Sequence, residues 1–444
     1  MKSGSMPAPT IEAWEDYLGK VNPNVIKLGL DRVRHVAAAL GVDTVSEDVR
    51  VVTVAGTNGK GSTAAILAAI MENAGYRTGL YTSPHIRTFN ERIVYGGVMA
   101  SDDDLIEAFE AVYTAMDEDH ELTFFEFTTL AALYIFRNRL CNVLVLEVGL
   151  GGRLDAVNIL DADIALIPSI GLDHCQILGS TLKEIAFEKA GIIKDRTAAV
   201  VTGELPEVCR NEIGARAAQH EAAFHVVGRN LKIRGIDNTH FDLLAPIEML
   251  NLEVPALPLI NAPLSVAAAL LLRLVFKFDI SDSDIRAGLR NATLHGRLER
   301  ISSHPDVLID VAHNPPAARY LAQYLNLNPR PRNAVIGMLK DKDIGNTLKE
   351  YTDLNLFEHY FVCSLPGERG AEGRILEQML IEQGIQRYRI QTFDSAAWAY
   401  RAALAELPVD SELVVTGSFI TVEEVLKSID ANQVWHAAGN REVS

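Results

Sequence analysis

The chain has 444 residues, a length that calls for two or three domains, with 48% hydrophobic and 22% charged residues. Its formal net charge of −17 argues against nucleic acid and against an anionic membrane surface, since both are held by an excess of Lys and Arg. No apolar run reaches the roughly 18 residues of a membrane-spanning helix, and the opening MKSGSMPAPT lacks the apolar stretch of a signal peptide.

Strand-length apolar runs alternate with helical stretches. Strands are predicted at 50–55, 77–81, 143–148, 163–170 and 197–202, and helices at 60–74, 102–116, 127–139 and 180–191. The strands are apolar throughout rather than alternating, as in parallel sheets buried on both faces, so a three-layer α/β architecture is expected. Residues 204–260 read as irregular, a sheet edge or loop, before an Ala/Leu-rich helix from Asn261 to about Phe276. A second α/β series follows, with strands at about 306–311, 333–337, 358–363 and 411–416. A boundary near residue 296 divides the chain into domains 1–296 and 297–444. The four cysteines, Cys141, Cys175, Cys209 and Cys363, are far apart and form no C-x-x-C pair. They read as reduced thiols of a cytoplasmic protein.

The stretch VTVAGTNGKGSTAAIL (52–67) places glycines and a lysine between a strand and a helix. Glycines let backbone N–H groups point inward, the helix N-terminus adds partial positive charge, and Lys60 can reach terminal phosphates. The spacing departs from G-x-x-x-x-G-K-[ST]: only Thr57 and Asn58 separate Gly56 from Gly59, and Gly61 follows the lysine, with Ser62 one further on. The strand-to-helix context nevertheless favours a phosphate loop.

Other polar residues fall at strand ends, where ligands bind in open parallel sheets. Ser83 follows the second strand, Glu147 closes VLVLE, and His174 follows the strand at 163–170. Together they could hold Mg²⁺ on a nucleotide. Singly, Ser83 could start a turn before Pro84, Glu147 could pair with an arginine, and His174 could cap its own loop. DVAHNP (310–315), GMLKDKD (337–343) and TGSF (416–419) end later strands in the same way.

The ordered set GTNGKGS, TSPHIRTFNERI, TFFEFTTLAAL, LEVGLGGRLDAVN, GLDHCQILGSTLKEIAFEKAGIIK, HGRLER, LIDVAHNP, GMLKDKD and TGSFITVEEVL resembles the folylpolyglutamate synthase family of the Mur ligase superfamily, and within it the bifunctional dihydrofolate synthase/folylpolyglutamate synthases. The resemblance runs from about Trp14 to about Asp430. It implies an N-terminal P-loop ATPase-like parallel-sheet domain and a smaller Rossmann-like α/β C-terminal domain. It also implies an ATP-dependent amide ligase. ATP would phosphorylate a carboxylate of dihydropteroate or of a reduced folate glutamate, and the amino group of L-glutamate would displace the phosphate.

Carried over by motif, Asn58, Gly59, Lys60, Gly61 and Ser62 contact ATP phosphates, and Asn261, Arg297 and Asp310 are further nucleotide contacts. Ser83, Glu147 and His174 are Mg²⁺ ligands, with two ions expected. Lys189 is expected as a carbamate ligating the second ion; without the resemblance it reads as a solvated helix residue. Lys60, Lys189 and His313 form the expected catalytic set. The folate site is expected at Leu28, Gly29, Leu30, His85, Thr123, Phe124, Phe125, Glu126, Arg153, Leu154, Asp155 and Ala156. Phe124 or Phe125 could stack on a pterin, although such a pair before a helix also suits a core. One departure stands out: where bifunctional members carry Asp in IDLGL, this chain reads IKLGL, with Lys27. Both activities are still expected, from a cytoplasmic monomer with small-molecule partners only.

Two other readings compete. A wall-precursor ligase of the same superfamily would need a UDP-binding domain before the loop, and the chain before Gly56 is short for one. A P-loop switch or motor would want Ser or Thr directly after the lysine, where Gly61 stands.

Overall fold

The computed structural model describes residues 6–20, 29–117, 119–235, 239–245 and 248–439. The chain divides into two compact units, Met1–Thr293 and Leu294–Ser444. Among the described residues, no helix is long and apolar enough to cross a membrane.

In the first unit the strands are β1 (Arg50–Val54), β2 (Thr78–Tyr81), β3 (Ile93–Tyr95), β4 (Val98–Met99), β5 (Val143–Glu147), β6 (Ile164–Ile167), β7 (Ala199–Thr202) and β8 (Ala223–Val226), followed by β9 (Lys232–Gly235), β10 (His240–Ala245) and β11 (Met249–Glu253). The helices are α1 (Ile11–Lys20), α2 (Asp31–Leu40), α3 (Lys60–Asn73), α4 (Asp102–Ala115), α5 (Phe124–Asn138), α6 (Cys175–Leu178), α7 (Leu182–Ala190), α8 (Glu207–Gln219), α9 (Ala262–Leu274) and α10 (Asp282–Asn291). The first eight strands form one sheet in the order β4-β3-β2-β5-β1-β6-β7-β8. It is parallel from β2 to β8, with β3 and β4 added antiparallel at one edge.

Successive strand side chains point to opposite faces, and both faces here are covered. Val51, Leu144, Leu146, Ala165, Ile167 and Val200 join the core formed with α1, α2, α4 and α5. Their neighbours Val52, Val145, Ile164 and Leu166 are equally buried on the face that carries α3, which packs with α9 and α10. Trp14 anchors the first core, fully buried among Tyr17, Phe109, Tyr113 and Phe127. Truncating such a side chain to Ala costs about 3–5 kcal/mol.

The segment 204–260 corrects the sequence reading. It contains a full helix, α8, and an edge strand, β8, as well as a separate antiparallel sheet in the order β11-β10-β9. The signal was thin because α8 buries only Cys209, Ile213 and Ala217, and β9 is exposed along its whole length.

The second unit contains β12 (Glu299–Ser303), β13 (Asp306–Ile309), β14 (Arg332–Ile336), β15 (His359–Cys363), β16 (Ile390–Phe393) and β17 (Glu412–Thr416), with α11 (Pro315–Asn326), α12 (Ile344–Thr352), α13 (Gly373–Glu382), α14 (Ala396–Ala405) and α15 (Phe419–Gly439). The sheet order is β12-β13-β17-β14-β15-β16, parallel except for β12. The sequence reading missed β12 and β16, whose residues are mostly half-buried and polar.

Candidate active site

β1 lies at the centre of the first sheet, between β5 and β6. The register pairs Val54 with Glu147 on one side and with Leu166 on the other. The loop after β1 therefore emerges beside the ends of β5 and β6, at the kind of crevice where doubly wound sheets bind ligands.

Contacts from the far side of β6 shape this loop. The Thr57 N–H donates to the Ser169 carbonyl (2.9 Å), the Asn58 N–H to Ser169 Oγ (2.8 Å) and the Gly171 N–H to Thr57 Oγ1 (2.9 Å). Gly59 caps α3 with φ +83°, and a Cβ there would lie 2.3 Å from Asn261 Oδ1. Asn261, itself buried, thus packs directly on the glycine at the helix N-terminus. Lys60 Nζ bends back toward the Thr57 carbonyl (3.4 Å). Gly61 and Ser62 are buried in the first turn of α3, and Ser62 Oγ has no hydrogen-bond partner among the described residues. A buried hydroxyl left so costs about 1–3 kcal/mol, and a phosphate oxygen or its metal ion would satisfy it.

Glu147 is buried at the end of β5, and its Oε2 accepts the Ser83 N–H at 3.0 Å. The fold thereby brings together two of the three candidate metal ligands. His174 starts α6 with φ +51°; its N–H donates to Asp173 Oδ1 (2.9 Å), and its ring lies 3.9 Å from that carboxylate.

Lys189, near the end of α7, is buried rather than solvated, and its Nζ donates to the Gly56 carbonyl at 2.9 Å. Desolvation, aided by the charge of Lys60, lowers its pKa to about 7, while Asp173 and Asp155 oppose the shift. Asp155 is buried too, and desolvation raises its pKa to about 7 against the pull of the Leu150, Val157 and Gly149 N–H groups and of Lys60. Lys189 and Asp155 therefore share one electrostatic environment with the charge of Lys60, in which burial draws both pKa values toward neutrality and the opposite charges resist it.

The candidate folate residues surround the N-terminus of α5. Thr123 caps that helix: its Oγ1 accepts the Glu126 N–H (3.3 Å), while Glu126 Oε2 accepts the Thr123 N–H (2.8 Å). Such a cap is worth about 1 kcal/mol. Arg32 on α2 donates to the other Glu126 oxygen (2.8 Å), so this carboxylate already has structural work. Phe124 and Phe125 are half-buried. Phe125 packs over Gly149, where a Cβ would meet its ring at 2.6 Å, and Phe124 lies under the Arg92 guanidinium (5.2 Å). His85 Nδ1 accepts from Arg92 Nε at 2.8 Å. Arg153 pairs with Glu188 (2.9 Å), beside half-buried Leu154 and buried Ala156. Gly29, at φ +133°, precedes Leu30 at the start of α2. Leu28 and Lys27 lie outside the described residues.

Sequence reading passed over Arg92, Ser169 and Asp173. Arg92 lay inside the quoted TFNERI, but nothing local marks a buried arginine beneath two phenylalanine rings.

In the second unit Asp310 is buried just beyond β13, where its oxygens accept the Leu298 and Ala312 N–H groups (both 2.9 Å). Burial raises its pKa, and Arg297 opposes the rise. Arg297 lies over the Phe419 ring (4.9 Å), and His313, 6.0 Å from the same ring, has Nδ1 2.9 Å from the Val311 carbonyl. That contact requires the proton on Nδ1. Arg297 and His313 thus flank Phe419, with Asp310 in the electrostatic reach of Arg297.

Two family models match the chain: the Mur ligase middle domain over residues 54–240, and the Mur ligase glutamate ligase domain over residues 296–419. The dihydrofolate synthase/folylpolyglutamate synthase of Escherichia coli (strain K12) is 38% identical over 439 residues, covering 98% of this chain and 99% of that relative. Its counterpart from Haemophilus influenzae is 36% identical, covering 93% and 95%. Among solved structures, Escherichia coli FolC in complex with DHPP and ADP superposes with a TM-score of 0.87 at 36% identity, covering 96% of this chain and all of that one. A bifunctional folylpolyglutamate synthase/dihydrofolate synthase with Mn, AMPPNP and L-glutamate bound gives 0.84 at 35% identity, with the same coverage.

Proposed function

This chain belongs to the dihydrofolate synthase/folylpolyglutamate synthase family of ATP-dependent Mur-type ligases, and from that premise we propose that it joins L-glutamate both to dihydropteroate and to reduced folate glutamates through an acyl phosphate. Relatives with ADP, with DHPP and with Mn, AMPPNP and L-glutamate support these ligand classes. The carrying observation is the loop after β1, pinned by Ser169 and Gly171 and ending in a buried, unpartnered Ser62 hydroxyl at a helix N-terminus.

Each group then has a task. Gly59, Gly61 and Ser62 offer N–H groups and a hydroxyl to the ATP phosphates, Asn58 adds its side-chain amide, and Lys60 turns from Thr57 to the terminal phosphate. Asn261, Arg297 and Asp310 are the remaining nucleotide contacts, with Asp310 already organised by two backbone N–H groups. Ser83 and Glu147 offer the oxygen ligands that Mg²⁺ favours, the carboxylate with its charge, and His174 would add a single nitrogen beside waters. When bound, the ion would neutralise phosphate charge during transfer.

Lys189 is a carbamate in the working enzyme. Its low pKa supports this: a neutral amine attacks CO₂ with loss of a proton, and the new anion offsets the burial of Lys60 beside it. That anion would be a ligand for a second Mg²⁺. His313, its Nδ1 held at the Val311 carbonyl, would serve the phosphate chemistry with its other ring nitrogen. The folate lies against Gly29, Leu30, His85, Thr123–Glu126 and Arg153–Ala156, with Leu28 completing the loop. Phe124 and Phe125, half-buried, keep ring surface for the pterin. The enzyme acts as a cytoplasmic monomer, with the phosphate loop and the folate site in domain 1–296 and the glutamate-ligase domain, which carries Arg297 and Asp310, at 297–444. ADP release measured with each folate acceptor, with and without L-glutamate, tests the reading.

A further inference from the structure

A second cluster of metal-ligating side chains stands apart from the residues assigned above. His35 lies on α2, and Asp117 and His120 lie in the connection from α4 to α5. His35 Nε2 is 2.9 Å from Asp117 Oδ2, and His120 Nδ1 is 2.7 Å from Asp117 Oδ1. The two imidazoles stack, with centroids 3.7 Å apart and planes 11° from parallel. One ligand atom from each of the three residues falls within 4.8 Å of the others. All three side chains are a third to a half exposed.

We propose that His35, Asp117 and His120 bind a divalent transition cation of the Zn²⁺, Ni²⁺ or Cu²⁺ class, tying α2 to the α4–α5 connection. The charge arithmetic favours a cation over an ion-pair cluster. One carboxylate neutralises only one imidazolium, and two imidazolium rings stacked at 3.7 Å would repel. A divalent ion accepts two neutral nitrogens and one carboxylate oxygen together. Imidazole and carboxylate select borderline cations, whereas Mg²⁺ would want oxygens throughout.

The carboxylate is already oriented. Asp117 Oδ1 accepts the Asp119 and His120 N–H groups (3.0 and 2.8 Å), so Oδ2 is the ligand oxygen. Around a tetrahedral ion, ligand atoms stand about 3.3 Å apart, given metal–nitrogen bonds of about 2.0–2.1 Å. The 2.9 Å contact of His35 Nε2 with Oδ2 must open slightly, His120 Nδ1 must turn from its 2.7 Å contact with Oδ1 toward the ion, and the parallel rings must splay. Partly exposed side chains can do both without disturbing the core. Water would fill the fourth position.

His35 and Asp117 are 82 residues apart in sequence, so an ion here would cross-link distant segments. On the functional reading above, those segments lead into Gly29–Leu30 and into Thr123–Glu126. The metal site itself does not depend on that reading.

The test is a Zn²⁺ titration by calorimetry on the full chain, with saturating Mg²⁺ and a non-hydrolysable ATP analogue occupying the nucleotide site. Wild type should show a Zn²⁺ equivalent that His35→Ala and His120→Ala each weaken by more than about tenfold, with Asp117→Asn also weaker. Circular dichroism and Mg²⁺-dependent ligase activity should match wild type in all three variants. The thermal midpoint should rise with Zn²⁺ in wild type and not in either histidine variant. Zn²⁺ affinity and thermal shift unchanged by all three substitutions would overturn the proposal, as would the absence of any Zn²⁺ binding to wild type.

Discussion

The side-chain nitrogen of Lys189 donates a 2.9 Å hydrogen bond to the carbonyl of Gly56, across 133 residues of sequence. This bond fastens the end of α7 to the first residue of the phosphate loop. It also places a buried amine of pKa about 7 in the electrostatic reach of Lys60, which is the environment a carbamate would relieve. Lys189→Ala should therefore lose at least about 10²-fold in kcat, with partial recovery on adding a short carboxylate such as acetate. The carbamate signal from ¹³CO₂ should grow as pH rises through about 7. Full activity in the variant would remove Lys189 from the mechanism.

Lys60→Ala should abolish ATP turnover, by about 10²–10³-fold or more, while leaving the thermal midpoint near wild type. Its side chain makes only a 3.4 Å contact with the Thr57 carbonyl, so little folding energy goes with it. Steady-state kinetics and a melt check both halves.

Glu147→Ala and Ser83→Ala separate charge from polarity. The carboxylate and the Ser83 N–H meet at 3.0 Å, but only the carboxylate brings a charge to a hard cation. Glu147→Ala should lose Mg²⁺-dependent turnover, and Ser83→Ala should shift the Mg²⁺ requirement upward while retaining activity. Wild-type Mg²⁺ titration curves for both would place the metal elsewhere.

Asp155 gives a pH signature. Burial raises its pKa from 3.8 to about 7, so between those values the folded protein holds a proton that the unfolded chain has released. Its contribution to stability is full below about pH 4 and is lost as pH rises through about 7. Lys189 works oppositely: its folded pKa lies below its ordinary 10.5, so stability recovers as pH rises from about 7 to 10.5. Asp155→Asn should flatten the midpoint-against-pH curve between pH 4 and 7 and leave the alkaline limb in place.

Much of this architecture was legible because β1, β5, β6 and β7 are apolar on both faces and because the loop before Lys60 sits between a strand and a helix. The strand ends that carry Ser83, Glu147 and Asp310 followed from those runs. The burial of Lys189 was missed because a lysine reads as solvated: it shares the buried face of α7 with Ile185, Ala186 and Ala190, and its amine is taken out of water against Gly56. Arg92 escaped notice for a similar reason. Its burial depends on Phe124, at the start of α5, closing over the arginine opposite its chain neighbours His85 and Phe89. The three-strand sheet at 232–253 was obscured by its exposed, weakly patterned edge.

Lys27 lies outside the described residues, and its effect is a matter for kinetics. Lys27→Asp should change KM for dihydropteroate more than KM for a folate glutamate, with both activities retained. Equal changes in the two KM values would remove any acceptor-specific role.

The most direct measurement is coupled ADP release from MgATP with dihydropteroate, with tetrahydrofolate or with neither, each in the presence and absence of L-glutamate. The account predicts ADP release that requires an acceptor and glutamate together, with dihydrofolate formed from dihydropteroate and a lengthened glutamate tail on the reduced folate. ADP release independent of glutamate would contradict ligase chemistry, and extension of tetrahydrofolate with no dihydrofolate from dihydropteroate would contradict the bifunctional assignment.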